Sequence, residues 1–210
     1  MNIIEAKNAA VIYDKHAVGM TGINFTAEGG KITAICGEEG VGKTTLLYAI
    51  ARIVDLTEGS IEFCGEDIRE KSVREMNAFL LSDAVKYPGG WTGKKCISRG
   101  LIIRGEKKEE AAEIASKSAE LLGLNDLLDK KIKAMSEDEK LFTALCAALA
   151  RKVGIILVDM AYLSAEMFSM LKKVTVILNA ITLIASEANP FPYEADECVV
   201  LDAPAIDECE

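Results

Sequence analysis

The chain has 210 residues, half of them apolar, four prolines and a formal charge of −9. That length fills one core with room for a smaller attached lobe, and the composition leaves little scope for a long disordered tail. The acidic balance argues against a nucleic-acid partner, which needs clustered Lys and Arg, and no apolar run reaches the roughly 18–20 residues that cross a bilayer.

The opening MNIIEAKN has no basic stretch leading into an apolar one, so a secretion signal is not expected. A cytoplasmic protein, docked at most peripherally on the inner face of a membrane, is the expectation. Alternating apolar residues over 2–13 and 22–25, then the apolar run 32–36, predict strands, with a tight turn at 28–31. A glycine-rich loop fills 37–42. Leu46, Leu47, Ile50 and Ile53 predict a helix over 43–54, and 59–63 a strand closed by a turn at Gly65.

Residues 86–93 (KYPGGWTG) read as a loop. Ala111, Ile114, Ala115, Ala119 and Leu122 recur on one side of a helix over 107–122. A link at 128–134 leads to Ser136, a helix cap, and to an apolar helix over 141–151. The continuous apolar runs 155–158 and 181–185 suit the middle of a parallel sheet, and 198–201 makes a last strand. The order predicts an α/β fold: a P-loop NTPase core, residues 1–210 as one domain, with a mixed sheet flanked by helices and antiparallel strands at its N-terminal end. A small helical subdomain is expected at about 84–134.

Cys36, Cys64, Cys96, Cys146, Cys198 and Cys209 include no C-x-x-C pair, and His16 is the single histidine. A common zinc set is therefore not formed. Cys36 and Cys146 sit in apolar runs, where free thiols pack as small hydrophobes.

Gly37-Glu38-Glu39-Gly40-Val41-Gly42-Lys43-Thr44, followed by Thr45, matches G-x-x-x-x-G-K-[ST] between a strand and a helix. In that setting backbone N–H groups converge on phosphate oxygens and the helix N-terminus adds positive potential. Lys43 reaches the terminal phosphates and the Thr44 hydroxyl ligates Mg²⁺. Glu38 and Glu39 oppose this. A carboxylate ~6 Å from a phosphate charge at an effective dielectric of ~20 repels it by about 3 kcal/mol, roughly a 100-fold loss of affinity. Side chains turned into salt water repel far less.

Tyr13, the loop and the stretch EGSIEFCGEDI together resemble the start of an ABC-type nucleotide-binding domain, and Ile155–Asp159 after an Ala-rich helix continues the likeness across nearly the whole chain. The resemblance implies that Tyr13 stacks on the adenine of ATP and that Asp159 holds Mg²⁺ through water. Absence of N-K-x-D and the 36 residues ahead of the loop separate the chain from small GTPases and nucleotide kinases.

The departures from that family are systematic. Met160 stands where the glutamate that polarises water is expected, Ser82 where a glutamine senses Mg²⁺, and Ser186, followed by Glu187, where a switch histidine belongs. The signature LSGGQ aligns with Met135-Ser136-Glu137-Asp138-Glu139. Read locally, Ser136-x-x-Glu139 is a capping box whose acids suit the helix dipole. The family shares each site between two chains, one bringing the loop and the other the signature. Neither a homodimer nor a heterodimer with an intact partner then holds a complete site. The reading that follows is an ATP-binding subunit, non-hydrolysing or very slow, of a complex that includes a membrane permease. Two alternatives stand beside it: an active ATPase with Glu187 or Glu166 as base, and an interaction protein that no longer binds nucleotide.

Overall fold

The computed structural model describes residues 2–14, 17–83, 87–188 and 191–202. His16 and Cys209 lie outside them. The elements run β1 (Ile3–Asp14), β2 (Ala17–Glu28), β3 (Ile32–Cys36), α1 (Lys43–Ile50), β4 (Glu58–Phe63), β5 (Glu66–Asp67), α2 (Val73–Met76) and β6 (Ala78–Ser82). Then come α3 (Gly93–Ile103), α4 (Lys108–Leu122), α5 (Glu137–Ala150), β7 (Ile155–Asp159), α6 (Ala165–Leu178), β8 (Ile181–Ser186) and β9 (Glu197–Val200). They form two compact units, 1–82 with 154–161 and 175–210, and 83–153 with 162–174.

The first unit holds two sheets. One is antiparallel, in the order β2-β1-β4-β5, and the other parallel, in the order β6-β7-β8-β3-β9. The expected mixture of strand directions is thus divided between them. All five residues of β3 are buried, as are Ile155–Val158 of β7 and 181–184 of β8, which explains why these strands read as continuous apolar runs rather than alternating ones. In β1 the alternation slips: Asn8 turns to a φ of +47° and the register shifts between Ala6 and Ala9. This bulge resets which side chains face inward. Helix α1 puts Leu46, Leu47 and Ile50 into a core shared by both sheets, with Ile4, Ile23, Ile35, Leu157 and Leu183 around them.

Two expectations need correction here. The helix expected over 43–54 stops at Ile50, because Arg52 takes a left-handed φ of +60° and its guanidinium is drawn to the carbonyl of Ile68 at 2.6 Å. The strand expected over 22–25 is twelve residues long, since Gly19 and Gly22 break its apolar pattern and the ladder with β1 resumes past each of them through a register shift.

In the second unit α3, α4 and α5 pack on one another. Ala111, Ala115, Ala119 and Leu122 are the buried stripe of α4, with Ser98 of α3 bonding to the Ala111 carbonyl. Helix α3 had no counterpart in the sequence reading, which ended at a loop over 86–93. Thr92 starts it by accepting from the Lys95 N–H at 3.3 Å, and Gly100 inside it makes room for the Arg151 side chain, 3.0 Å from where a Cβ would lie. The unit reaches beyond 84–134 because α5, with Leu141, Ala144 and Leu145 buried, packs on α3 and α4.

Candidate functional site

The C-terminal ends of parallel strands collect ligand-binding loops, since the strands point their last residues at one edge. Here β3 ends at Cys36, β7 at Asp159, β8 at Ser186 and β6 at Ser82. The register pairs Ser82 with Asp159 and Cys36 with Ser186, so the first unit brings the loop and three of the expected positions to one sheet edge.

The loop from Gly37 to Gly42 is shaped by glycine. A Cβ on Gly42, at φ +98°, would lie 2.3 Å from the Gly19 carbonyl oxygen; one on Gly37, at φ +152°, would lie 2.7 Å from that of Leu201. Backbone packs against backbone at both ends of the loop, and no side chain fits. Gly42 is also the N-cap of α1, which has neither a side-chain cap nor an acid in its first turn. Helix α1 therefore starts with N–H groups that no capping side chain takes up, the arrangement that receives an anion.

Lys43 is only 9% exposed. Its ammonium donates to the carbonyls of Gly37 at 2.8 Å and Glu38 at 2.5 Å, so it lies across the loop. Glu38 and Glu39 are exposed. In water-like surroundings the repulsion at ~6 Å drops to about 0.7 kcal/mol, roughly threefold in affinity, which sets aside the larger figure. Val41 is buried in the core beside the loop.

The Thr44 hydroxyl donates to Asp159 Oδ1 at 3.1 Å. These two hard oxygens fit Mg²⁺, which keeps several waters and takes its remaining ligands from phosphate. No cluster of three His, Cys, Asp or Glu side chains suited to another metal occurs among the described residues.

Gly19 was not singled out from the sequence, yet it joins the site together. A Cβ there would lie 2.8 Å from Thr45 Cγ2 and 2.9 Å from Tyr13 Cε2. The absence of a side chain lets the Tyr13 ring, 57% exposed, sit beside the first turn of α1. The available signal was a lone glycine inside a strand pattern, which marks a close approach.

Met160 follows Asp159, half-buried, and offers a thioether, which takes no proton from water. Ser186 accepts the Ala188 N–H at 3.1 Å and so closes a local turn, and Glu187 is exposed. Glu166 belongs to the second unit.

The second unit also carries the segment aligned with the signature. Ser136 Oγ accepts the Glu139 N–H at 3.2 Å, and the Glu139 carboxylate accepts the Ser136 N–H at 2.9 Å, the reciprocal capping box read from the sequence. Lys130 reaches both Glu139 oxygens, at 2.7 and 2.6 Å. That hydrogen bond, with the one from the Ser136 backbone, holds the Glu139 carboxyl below the usual range. Ser164 donates to Asp138 at 3.1 Å, and Lys140 pairs with Glu137.

Residues 20–162 match the family described as ABC transporter. An uncharacterized ABC transporter ATP-binding protein of Haemophilus influenzae is 33% identical over 160 residues, covering 74% of this chain and 70% of that one. The trehalose import ATP-binding protein SugC of Mycobacterium tuberculosis is 29% identical over 138 residues, 65% of this chain, but this chain spans only 35% of its length. The energy-coupling factor transporter ATP-binding protein EcfA of Methanoculleus marisnigri is 28% identical, with 76% of this chain and 58% of that one covered. Among solved structures, cbiO1 from Clostridium perfringens, part of the ABC transporter complex cbiONQ, aligns over 96% of this chain and 85% of its own with a TM-score of 0.83 at 21% identity.

Proposed function

We propose, from the premise that the chain belongs to the ABC transporter family, that it is a subunit that binds ATP with Mg²⁺ and hydrolyses it very slowly or not at all. The observation that carries this is the joint state of one sheet edge. The loop, Lys43 and the Thr44–Asp159 pair are in place, and the residue after Asp159 is Met160. A thioether takes no proton from water, so the general-base contribution, typically ~10²–10⁴-fold, is missing.

In this reading Tyr13 stacks on the base, the backbone N–H groups of 40–45 and Lys43 bind the phosphates, and Thr44 and Asp159 hold the Mg²⁺, which draws charge from the phosphate oxygens. The chain pairs with a second nucleotide-binding subunit, of its own kind or another, and works at the inner face of a membrane on a permease. No described helix is long and apolar enough to cross a membrane, and the names of the trehalose, energy-coupling-factor and cbiO1 relatives, all of transport systems, support the assignment. Nucleotide occupancy rather than turnover then sets the state of the complex.

The test is a calorimetric titration with MgATP beside a Lys43→Ala control, with phosphate release followed on the same samples. Binding that the control abolishes, with release no faster than the control, is the expected outcome. Release well above the control, lost on Glu187→Gln, would replace this reading with an active enzyme using another base.

A further inference from the structure

Strand β9 lies beside β3, the strand that leads into the loop, and each carries a cysteine: Cys36 ends β3 and Cys198 is the second residue of β9. Cys36 is fully buried and Cys198 exposed, and their Sγ atoms are 3.1 Å apart. That is too close for a shared metal. Two thiolates on one tetrahedral zinc, each at ~2.3 Å, stand roughly 3.8 Å apart. The spacing suits direct reaction between the sulfurs.

We propose that Cys36 and Cys198 form a reversible thiol–disulfide site that controls the phosphate-binding loop, an inference that rests on the nucleotide-binding reading above. The oxidant is a small disulfide. Cys198, the exposed partner, attacks it as thiolate and releases one thiol. Cys36 loses its proton to solvent and displaces the second thiol from the mixed disulfide, so two protein thiols are oxidised and one disulfide is reduced to two thiols. Burial, then the hydrogen bond with Cys198, holds the Cys36 thiol above its usual range, while the Lys43 ammonium pulls it down. The second displacement is intramolecular, since the two sulfurs already touch at 3.1 Å.

Closure moves the loop because the two cysteines are not direct neighbours. Cys198 is in register with Ala34, and Cys36 with Val200. An offset of two residues across a parallel pair, at ~3.3 Å per residue along the strand and ~4.8 Å between strands, puts the Cα atoms roughly 8 Å apart, beyond the ~4.4–6.8 Å that a relaxed disulfide spans. Bonding the sulfurs has to draw β9 along β3 toward the loop. Leu201, whose N–H donates to the Cys36 carbonyl at 2.8 Å, is carried with it. Its carbonyl oxygen already lies 2.7 Å from where a Gly37 Cβ would be, and Gly37 in turn supplies an acceptor to Lys43. The shift reaches the lysine in three contacts. A disulfide made under such strain belongs to the labile, regulatory kind.

The experiment uses the full chain with Cys209→Ser, so that the tryptic peptides 32–43 and 174–210 carry one cysteine each. The protein is equilibrated in ratios of oxidised to reduced glutathione, and a cross-linked peptide pair is sought by mass spectrometry. MgATP affinity and amide hydrogen exchange over 37–43 are measured in both forms. The expected result is a Cys36–Cys198 bond, an affinity lower by roughly tenfold, altered loop exchange, and full reversal by dithiothreitol. Cys198→Ser should bind nucleotide as the reduced protein does and ignore glutathione. If no bond forms, or if it forms and leaves both affinity and loop exchange unchanged, the proposal is overturned. Should the reduced protein bind no nucleotide, the functional reading fails, while cross-link and loop exchange still decide for or against the switch.

Discussion

Lys43 shows how one residue records the chemistry of a site. A buried ammonium is unfavourable unless its protons find acceptors, and here the carbonyls of Gly37 and Glu38 provide them. A phosphate offers stronger, charge-assisted acceptors at the same place. Lys43→Ala should therefore lower MgATP affinity by more than about tenfold, read by calorimetry, while leaving the thermal midpoint near that of the parent. Glu39→Ser should tighten binding by at most about threefold, since the carboxylate is exposed and screened. Gly19 gives a sharper test. Gly19→Val places carbon atoms where Tyr13 and Thr45 now approach, so nucleotide affinity should fall although the residue offers no group to the ligand. An unchanged affinity would show that Tyr13 takes no part in binding. The loop was legible as a motif because its residue types are dictated by local backbone geometry. Gly19 was not, because its neighbours are 6 and 26 positions away in the chain (Tyr13 and Thr45), and the pairing of β1 with β2 brings the first to it while packing of α1 on β2 brings the second.

Two helix N-termini carry the contrast at the level of elements. The first turn of α1 has no acid and no side-chain cap, whereas α5 begins with Glu137, Asp138 and Glu139 and caps itself through Ser136. One start is left for an anion; the other has supplied its own. The capping box could be read from Ser136-x-x-Glu139, since both halves lie within one turn. Lys130, nine residues away, could not, because the short turns at 125–127 and 132–134 fold it back onto Glu139. Helix α3 escaped for a related reason: Gly93 and Gly100 weaken its propensity, and packing within the second unit outweighs them. The Glu139 carboxyl is held low by Lys130 and the Ser136 N–H. Its folded value lies below its unfolded one, so its contribution is present above the ordinary carboxylate value of about 4.5 and is lost as pH falls through the depressed value. Glu139→Gln should lower the thermal midpoint at neutral pH, and the gap to the parent should narrow as the pH falls below the ordinary carboxylate value and through the depressed one. A gap independent of pH would mean that the ion pair with Lys130 adds nothing beyond the neutral cap.

For the whole molecule the question is whether one substitution can return hydrolysis. Met160→Glu restores a carboxylate next to Asp159, and a general base alone is worth ~10²–10⁴-fold. We expect no robust turnover from it. In the family's architecture the γ-phosphate bound by one chain is capped by the signature of the other, where two glycines leave the helix N-terminus open. On the proposed alignment those places are Glu137 and Asp138 in this chain, and both are already engaged: Glu137 with Lys140 and Asp138 with Ser164. A homodimer that closed over ATP would bring these carboxylates toward phosphate charge, and repulsion at ~6 Å is about 3 kcal/mol per pair once water is partly excluded. The closed form should then be rare whatever stands at position 160. The combined change Met160→Glu, Glu137→Gly, Asp138→Gly removes both obstacles, and leaves the Ser164 hydroxyl accepting only from the Met167 N–H. On the proposed alignment Ser82 and Ser186 still stand for the Mg²⁺-sensing glutamine and the switch histidine, so at most slow phosphate release is expected, measured against the same protein with Lys43→Ala as blank. Nucleotide affinity of the monomer should be similar in the single and triple variants, because each keeps the loop, Thr44 and Asp159. Rapid release from Met160→Glu alone would show that the base was the only lesion and that the acidic helix start does not face the phosphate.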